Sequence, residues 1–125
     1  KITEIPTIDC TGLTTACSGV FANSWGRTKT IEKIITKEDT TYNNWFQNAT
    51  GLKNITFEGV IGQNGLNFQS CPLTIESLRS VISCLKDYST DTSGTAWVVT
   101  VGSKNLAILT DDDLDEIQAK GWNFV

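Results

Sequence analysis

Histidine is absent from this sequence, and that one gap removes more chemistry than any other feature of the composition. Hydrolytic triads of the Ser/His/Asp and Cys/His kinds need a base, usually histidine, so both are excluded. The commonest general acid–base residue goes with them, and no catalytic residue is assigned. Without histidine a zinc site would need all four thiolates, Cys10, Cys17, Cys71 and Cys84, which are not spaced as CxxC pairs. The last two bracket an expected helix about 15 Å long, at about 1.5 Å per residue, so neither a metal site nor a direct bridge between them is expected. Four cysteines are also too few for a disulfide scaffold. The reading is four reduced thiols acting as small buried hydrophobes, with a Cys10–Cys17 bridge as the alternative.

Proline is scarce, with two residues, and hydrophobic residues make up 39% of the chain against 19% charged, which places it among folded, soluble globular domains. One domain over residues 1–125 is expected. No apolar run approaches the roughly 18 to 20 residues of a membrane helix, so no membrane insertion is expected. Basic residues form no stripe: ten Lys and Arg are scattered through a chain of net charge −4, so nucleic acid is not an expected partner. The chain begins at Lys1 without an initiator methionine, as a trimmed chain would, which leaves a removed signal sequence open.

What the sequence does contain is a weak internal repeat. Ile31-Glu32-Lys33-Ile34-Ile35 precedes Trp45-Phe46-Gln47-Asn48, and Leu52-Lys53-Asn54-Ile55-Thr56-Phe57 precedes Asn67-Phe68-Gln69-Ser70. A degenerate earlier copy runs from Ile2 and Ile5 to Phe21-Ala22-Asn23, with Trp25-Gly26-Arg27 enlarging its turn. Phe21, Phe46 and Phe68 recur at intervals that fall within the period of leucine-rich repeats. Each unit offers one short strand and one return segment, and neither buries its apolar face unless units stack. Ile31, Ile34, Leu52, Ile55 and Phe57 should then point inward with the three phenylalanines behind them, and Lys33, Ile35, Asn54, Thr56 and Glu58 outward.

Beyond Cys71 the pattern changes. Ile75, Leu78, Val81, Ile82 and Leu85 predict an amphipathic helix capped by Thr74 and ending near Lys86 or Asp87. Ala96 to Val101 is β-branched enough for a strand. A second helix is expected from Thr110, with Asp113 completing a capping box, Leu114 and Ile117 inward, and Gly121 as its stop. Trp122 to Val125 leaves room for a last strand parallel to the first. Val98 and Asn123 are separated by the same interval as Phe21 and Phe46, one further turn of a coil.

These residues resemble the BspA-like leucine-rich-repeat proteins of bacteria, including versions carried on phage or prophage tail and surface proteins. The resemblance rests on the Phe46 to Phe57 stretch and on the module from Leu73-Thr74-Ile75-Glu76-Ser77-Leu78 through Val99-Thr100-Val101-Gly102 and Asn105-Leu106-Ala107-Ile108-Leu109-Thr110 to Lys120-Gly121-Trp122. It implies a right-handed α/β solenoid with a parallel sheet, made of degenerate repeats over residues 1–71 and a helix-strand-helix-strand terminal module over 72–125. It also implies display on a cell or virion surface and a protein or glycan ligand met on the sheet face. No ligand residue carries over from the family.

The other motifs point to structure. Asp111, Asp112, Asp113, Asp115 and Glu116 sit where a helix start favours acids, without the alternating spacing of a calcium loop. Gly59, Gly62 and Gly65 suit tight turns, with no Lys-Ser/Thr to make a phosphate loop, so no cofactor is expected. Asn48-Ala49-Thr50 and Asn54-Ile55-Thr56 match the glycosylation sequon, a match common by chance. Trp25, Tyr42 and Trp45 lie in predicted turns, where they either stand exposed to stack on a sugar ring or anchor a protein partner, or pack in the core or at its edge; Trp97 and Trp122 sit in strands beside apolar neighbours.

The sequence therefore predicts a non-enzymatic recognition or adhesion module whose binding surface is Lys33, Ile35, Asn54, Thr56, Val98 and Thr100, chosen by strand alternation. The alternative is a structural cap that ends a longer solenoid and has no ligand of its own. Self-association through an exposed N-terminal end of the coil is a further expectation.

Overall fold

Alternating segments such as Ile31 to Ile35 and Ile55 to Phe57 each have one apolar edge to hide, which they do most economically by lying side by side. A computed structural model of the chain, describing residues 4–12, 27–42 and 44–125, has this arrangement. Strands β1 (Glu4–Ile5) and β2 (Ile8–Asp9) both pair with β3 (Thr30–Thr36), and β3 pairs with β4 (Asn54–Gly59), all in parallel. Glu4 faces Thr30, and Thr30 in turn faces Asn54, so each step across the sheet advances the chain by about one repeat. A bulge between Ile31 and Ile34 puts Glu32 and Lys33 against a single outward position of β4.

Behind the sheet the return segments close with matching turns. Ala49 N–H donates to the Phe46 carbonyl at 3.1 Å, and Cys71 N–H makes the equivalent bond to Phe68 at 2.8 Å. The Phe46 and Phe68 rings stack with centroids 4.7 Å apart, and Phe57, Tyr42 and Trp45 extend the aromatic core edge to face. Ile31, Ile34, Leu52, Ile55 and Phe57 are buried with them, as the alternation predicts. Phe21 and Trp25 lie outside the described residues. Tyr42 and Trp45 take the core position rather than the exposed one, each being 1% exposed. Left-handed backbone at Asn44 and Asn48, with φ of 58° and 59°, folds the intervening segment tightly enough to turn its rings inward.

Gly59 is needed where the two long strands end. It pairs with Thr36 at φ +100°, and a Cβ there would lie 2.1 Å from the Thr36 carbonyl oxygen.

Helix α1 (Ile75–Cys84) follows, with the Thr74 hydroxyl accepting from Ser77 N–H as expected. It stops at Cys84, earlier than the apolar period predicts, because Lys86 N–H pairs with the Ile61 carbonyl and so draws the chain into an extended path. Strand β5 (Trp97–Val99), helix α2 (Ser103–Leu106), helix α3 (Asp111–Ala119) and strand β6 (Trp122–Phe124) complete the order. The capping box of Thr110 and Asp113 forms, and Gly121 ends α3 at φ +80°. The sequence pattern does not predict α2; the helices of the C-terminal half number three rather than two. α3 lies alongside α1, tied at its start by Arg79 to Asp113 and at its end by Lys120, whose ammonium donates to the Ile82 carbonyl at 2.7 Å.

The described residues thus form a mixed α/β structure with a parallel sheet and three helices. β5 and β6 are parallel, and Val98 faces Asn123 as their separation in the sequence predicts. They form a second sheet of two strands, however, and do not extend the first one. A single sheet running from β3 to β5 is therefore not what forms. The reason is local: α1 occupies the flank of β4 where another strand would pair.

That flank is unusual in being satisfied largely by side chains. Ile55 N–H donates to Ser77 Oγ at 3.0 Å and Phe57 N–H to Ser80 Oγ at 2.8 Å. The Lys53 carbonyl accepts from Thr74 N–H and from the Ser77 hydroxyl, and Ile61 N–H donates to the Cys84 carbonyl at 2.7 Å. Serines at i and i+3 lie on one helix face, so an α-helix can answer alternate groups of a strand edge. Unanswered, each buried donor would cost about 1–3 kcal/mol.

Candidate binding surface

Inward packing of Ile31, Ile34, Ile55 and Phe57 forces their neighbours to the other side of the sheet. The outer face of β3 and β4 therefore carries Lys33, Ile35, Asn54, Thr56 and Glu58; Asn54, Thr56 and Glu58 are exposed, and Lys33 and Ile35 are partly so. The register draws rows across the strands. Asp9, Ile35 and Glu58 form one row, and Glu4, Thr30 and Asn54 another. Lys33 Nζ reaches Glu58 Oε1 at 3.3 Å, and Asn54 Nδ2 lies 3.4 Å from Thr30 Oγ1. The Thr11 hydroxyl and amide both donate to Asp9 Oδ1, at 2.6 and 2.9 Å, and hold that carboxyl below its ordinary pKa.

Four of the six predicted surface residues, Lys33, Ile35, Asn54 and Thr56, thus share one face. Val98 and Thr100 do not join them. Both lie on or beside the second sheet, where Val98 N–H donates to Asn64 Oδ1 at 2.8 Å and Thr100 bridges to Asn67. Asn64 also donates to the Ala96 carbonyl at 3.0 Å, so its carboxamide stands in for a neighbouring strand. Alternation tells inside from outside correctly but cannot tell which sheet a strand joins.

One polar residue that the sequence reading passes over as a functional candidate sits at the heart of the framework. Asn105 is buried, and its Nδ2 donates to the carbonyls of Cys71 at 2.8 Å and Val101 at 2.7 Å, with Phe68 at 3.3 Å. Its Oδ1 accepts from Leu73 N–H at 3.2 Å. Asparagine offers two donors and an acceptor on a flat, short stem, which suits it to tie a turn of irregular backbone. The signal in the sequence is a lone amide inside the apolar pattern Val101, Leu106 and Leu109.

The acidic run from Asp111 to Glu116 is a helix start, with Asp113 capping and pairing with Arg79, whose guanidinium holds its carboxyl below the usual range. Among the described residues no group of three or more His, Cys, Asp or Glu side chains is placed to hold a metal ion. Cys71 is buried, and loss of solvent pushes its thiol pKa up to about 12, a poor state for a nucleophile. No helix among the described residues is long and apolar enough to cross a membrane. No family model, curated protein or solved structure matches the chain.

Proposed function

We propose that this chain is a non-enzymatic recognition module that binds a protein or glycan partner through the outer face of β3 and β4. The observation that carries the reading is the contiguous face of Lys33, Ile35, Asn54, Thr56 and Glu58, where a partly buried isoleucine sits among polar and charged groups of both signs. Such a mixture, an apolar centre with a polar rim, suits surface complementarity rather than catalysis. Strands β1 to β4, parallel and recurring with the period of the sequence repeat, with matching turns at Phe46 and Phe68, support a coil of the BspA-like leucine-rich-repeat kind in that part of the chain, displayed outside a bacterial cell or on a virion; β5 and β6, in a sheet of their own, do not continue it.

The test is an array of surface proteins and glycans probed with the wild-type chain and with the double variant Ile35→Asp, Thr56→Arg. Hits that the wild type makes and the variant loses support the sheet face. An array on which both chains behave alike refutes it.

A second reading, a structural cap that closes the edge of a parallel sheet, is favoured by the Ser77 and Ser80 bonds to β4. On that reading Ser77→Ala, Ser80→Ala exposes the edge and the protein associates with rising concentration, whereas the sheet-face variant leaves association unchanged.

A further inference from the structure

The turns that close the repeats carry their own groove, separate from the sheet face. Two adjoining hollows of about 500 and 310 Å³ share Gln69 and Ser70 as a common wall. Their chemistry is uneven. The walls carry the carboxamides of Asn44, Gln47, Asn67 and Gln69 and the hydroxyl of Ser70, with Lys104 at one end. In a protein with 14 acidic and 10 basic residues, no carboxylate lines either hollow among the described residues.

This groove follows from the repeat. Gln47 and Gln69 each succeed one of the two stacked phenylalanines, so stacking of the turns brings two glutamines to one wall. The turn bearing Gln69 and Ser70 is held from behind: Asn105 fastens the carbonyls of Phe68 and Cys71. Asn67 Oδ1 accepts from Gln69 N–H at 2.9 Å, which fixes that carboxamide. Gly102 packs so close that a Cβ there would lie 3.3 Å from Gln69 Cα. The backbone of this turn and the Asn67 carboxamide are therefore preset, which lowers the entropy lost on binding.

We infer that this groove binds an acidic oligosaccharide, whose hydroxyls pair with the carboxamides while a carboxylate meets Lys104. A carboxamide presents donor and acceptor side by side, matching adjacent sugar hydroxyls that both give and take hydrogen bonds. Pro72 is the one exposed apolar side chain among the lining residues, and a single proline ring offers a peptide little anchorage. The inference is independent of the sheet-face reading, since the two surfaces share no residue.

The test is an NMR titration of the full chain with hexagalacturonate and, in parallel, with neutral maltohexaose. Hexagalacturonate should give saturable shifts at Gln47, Gln69, Ser70 and Lys104 and bind at least about tenfold more tightly than maltohexaose. Lys104→Gln should erase that preference, and Gln47→Ala, Gln69→Ala should weaken binding at least about tenfold with an otherwise native spectrum, whereas Lys29→Ala, at an exposed lysine in neither surface, changes nothing. Equal affinity for the two sugars, no saturable shift with either, or wild-type binding by the double glutamine variant would overturn the inference.

Discussion

Replacing Ser77 and Ser80 by alanine should destabilise the protein more than any comparable pair of surface serines. Each substitution removes only an oxygen, so packing is almost unchanged and the effect reports the strand edge itself. Ser77→Ala strands Ile55 N–H and takes one donor from the Lys53 carbonyl; Ser80→Ala strands Phe57 N–H. A buried donor left unmet costs about 1–3 kcal/mol, and Ser80 belongs at the lower end because it is partly exposed. The pair should therefore lose about 2–4 kcal/mol, a drop in Tm of about 8–16 °C for a domain of this size. Ser83→Ala is the control: its hydroxyl is exposed and donates only within α1, to the Ser80 carbonyl, so its effect should stay within about 0.5 kcal/mol. Urea denaturation gives the energies, and amide exchange locates them. Protection should fall first at Ile55 and Phe57. A double variant indistinguishable from Ser83→Ala, with both amides still protected, would refute the claim that α1 satisfies the edge of β4.

Other outcomes follow from single contacts. Asn105→Leu keeps the volume but removes the carboxamide's bonds to Leu73 N–H and to three carbonyls; Leu73 N–H and the Phe68 and Cys71 carbonyls each keep one backbone partner, so urea denaturation should show a loss of about 1–3 kcal/mol. Gly59→Ala forces a methyl against the Thr36 carbonyl at a positive φ and should cost more than about 2 kcal/mol, read as a lowered denaturation midpoint. The Asp113 carboxyl has a folded pKa below its ordinary value, chiefly through its bond to Arg79. Its contribution is thus complete above about pH 4 and fades as pH falls through the lower folded value. Thermal melts from pH 6 to pH 2 should accordingly show a steeper acid loss in the wild type than in Asp113→Asn.

Much of the framework was legible because it depends on short-range rules. Thr74 and Thr110 announce helix starts by a hydroxyl before an apolar period, and the period-two pattern around Ile31 and Ile55 gives both the strands and their inward faces. What escaped the sequence was long-range competition. β5 reads as a strand of the same sheet, yet α1 lies alongside β4 with serines able to bond its edge, and the choice between helix and strand as neighbour depends on contacts between segments far apart in the chain. Val98 and Thr100 left the candidate surface for that reason. Tyr42 and Trp45, among polar neighbours, stood open between exposure and core; the two asparagines in left-handed conformation beside them, a property of backbone rather than of hydropathy, accompany their burial.

Recognition through the outer face of β3 and β4 is tested most directly by mapping amide shifts when the first partner captured on the array is added to labelled chain. Perturbations should centre on Lys33, Ile35, Asn54 and Thr56, leaving Val98 and Thr100 at their free positions. A footprint confined to other residues, with those four unmoved, would contradict it.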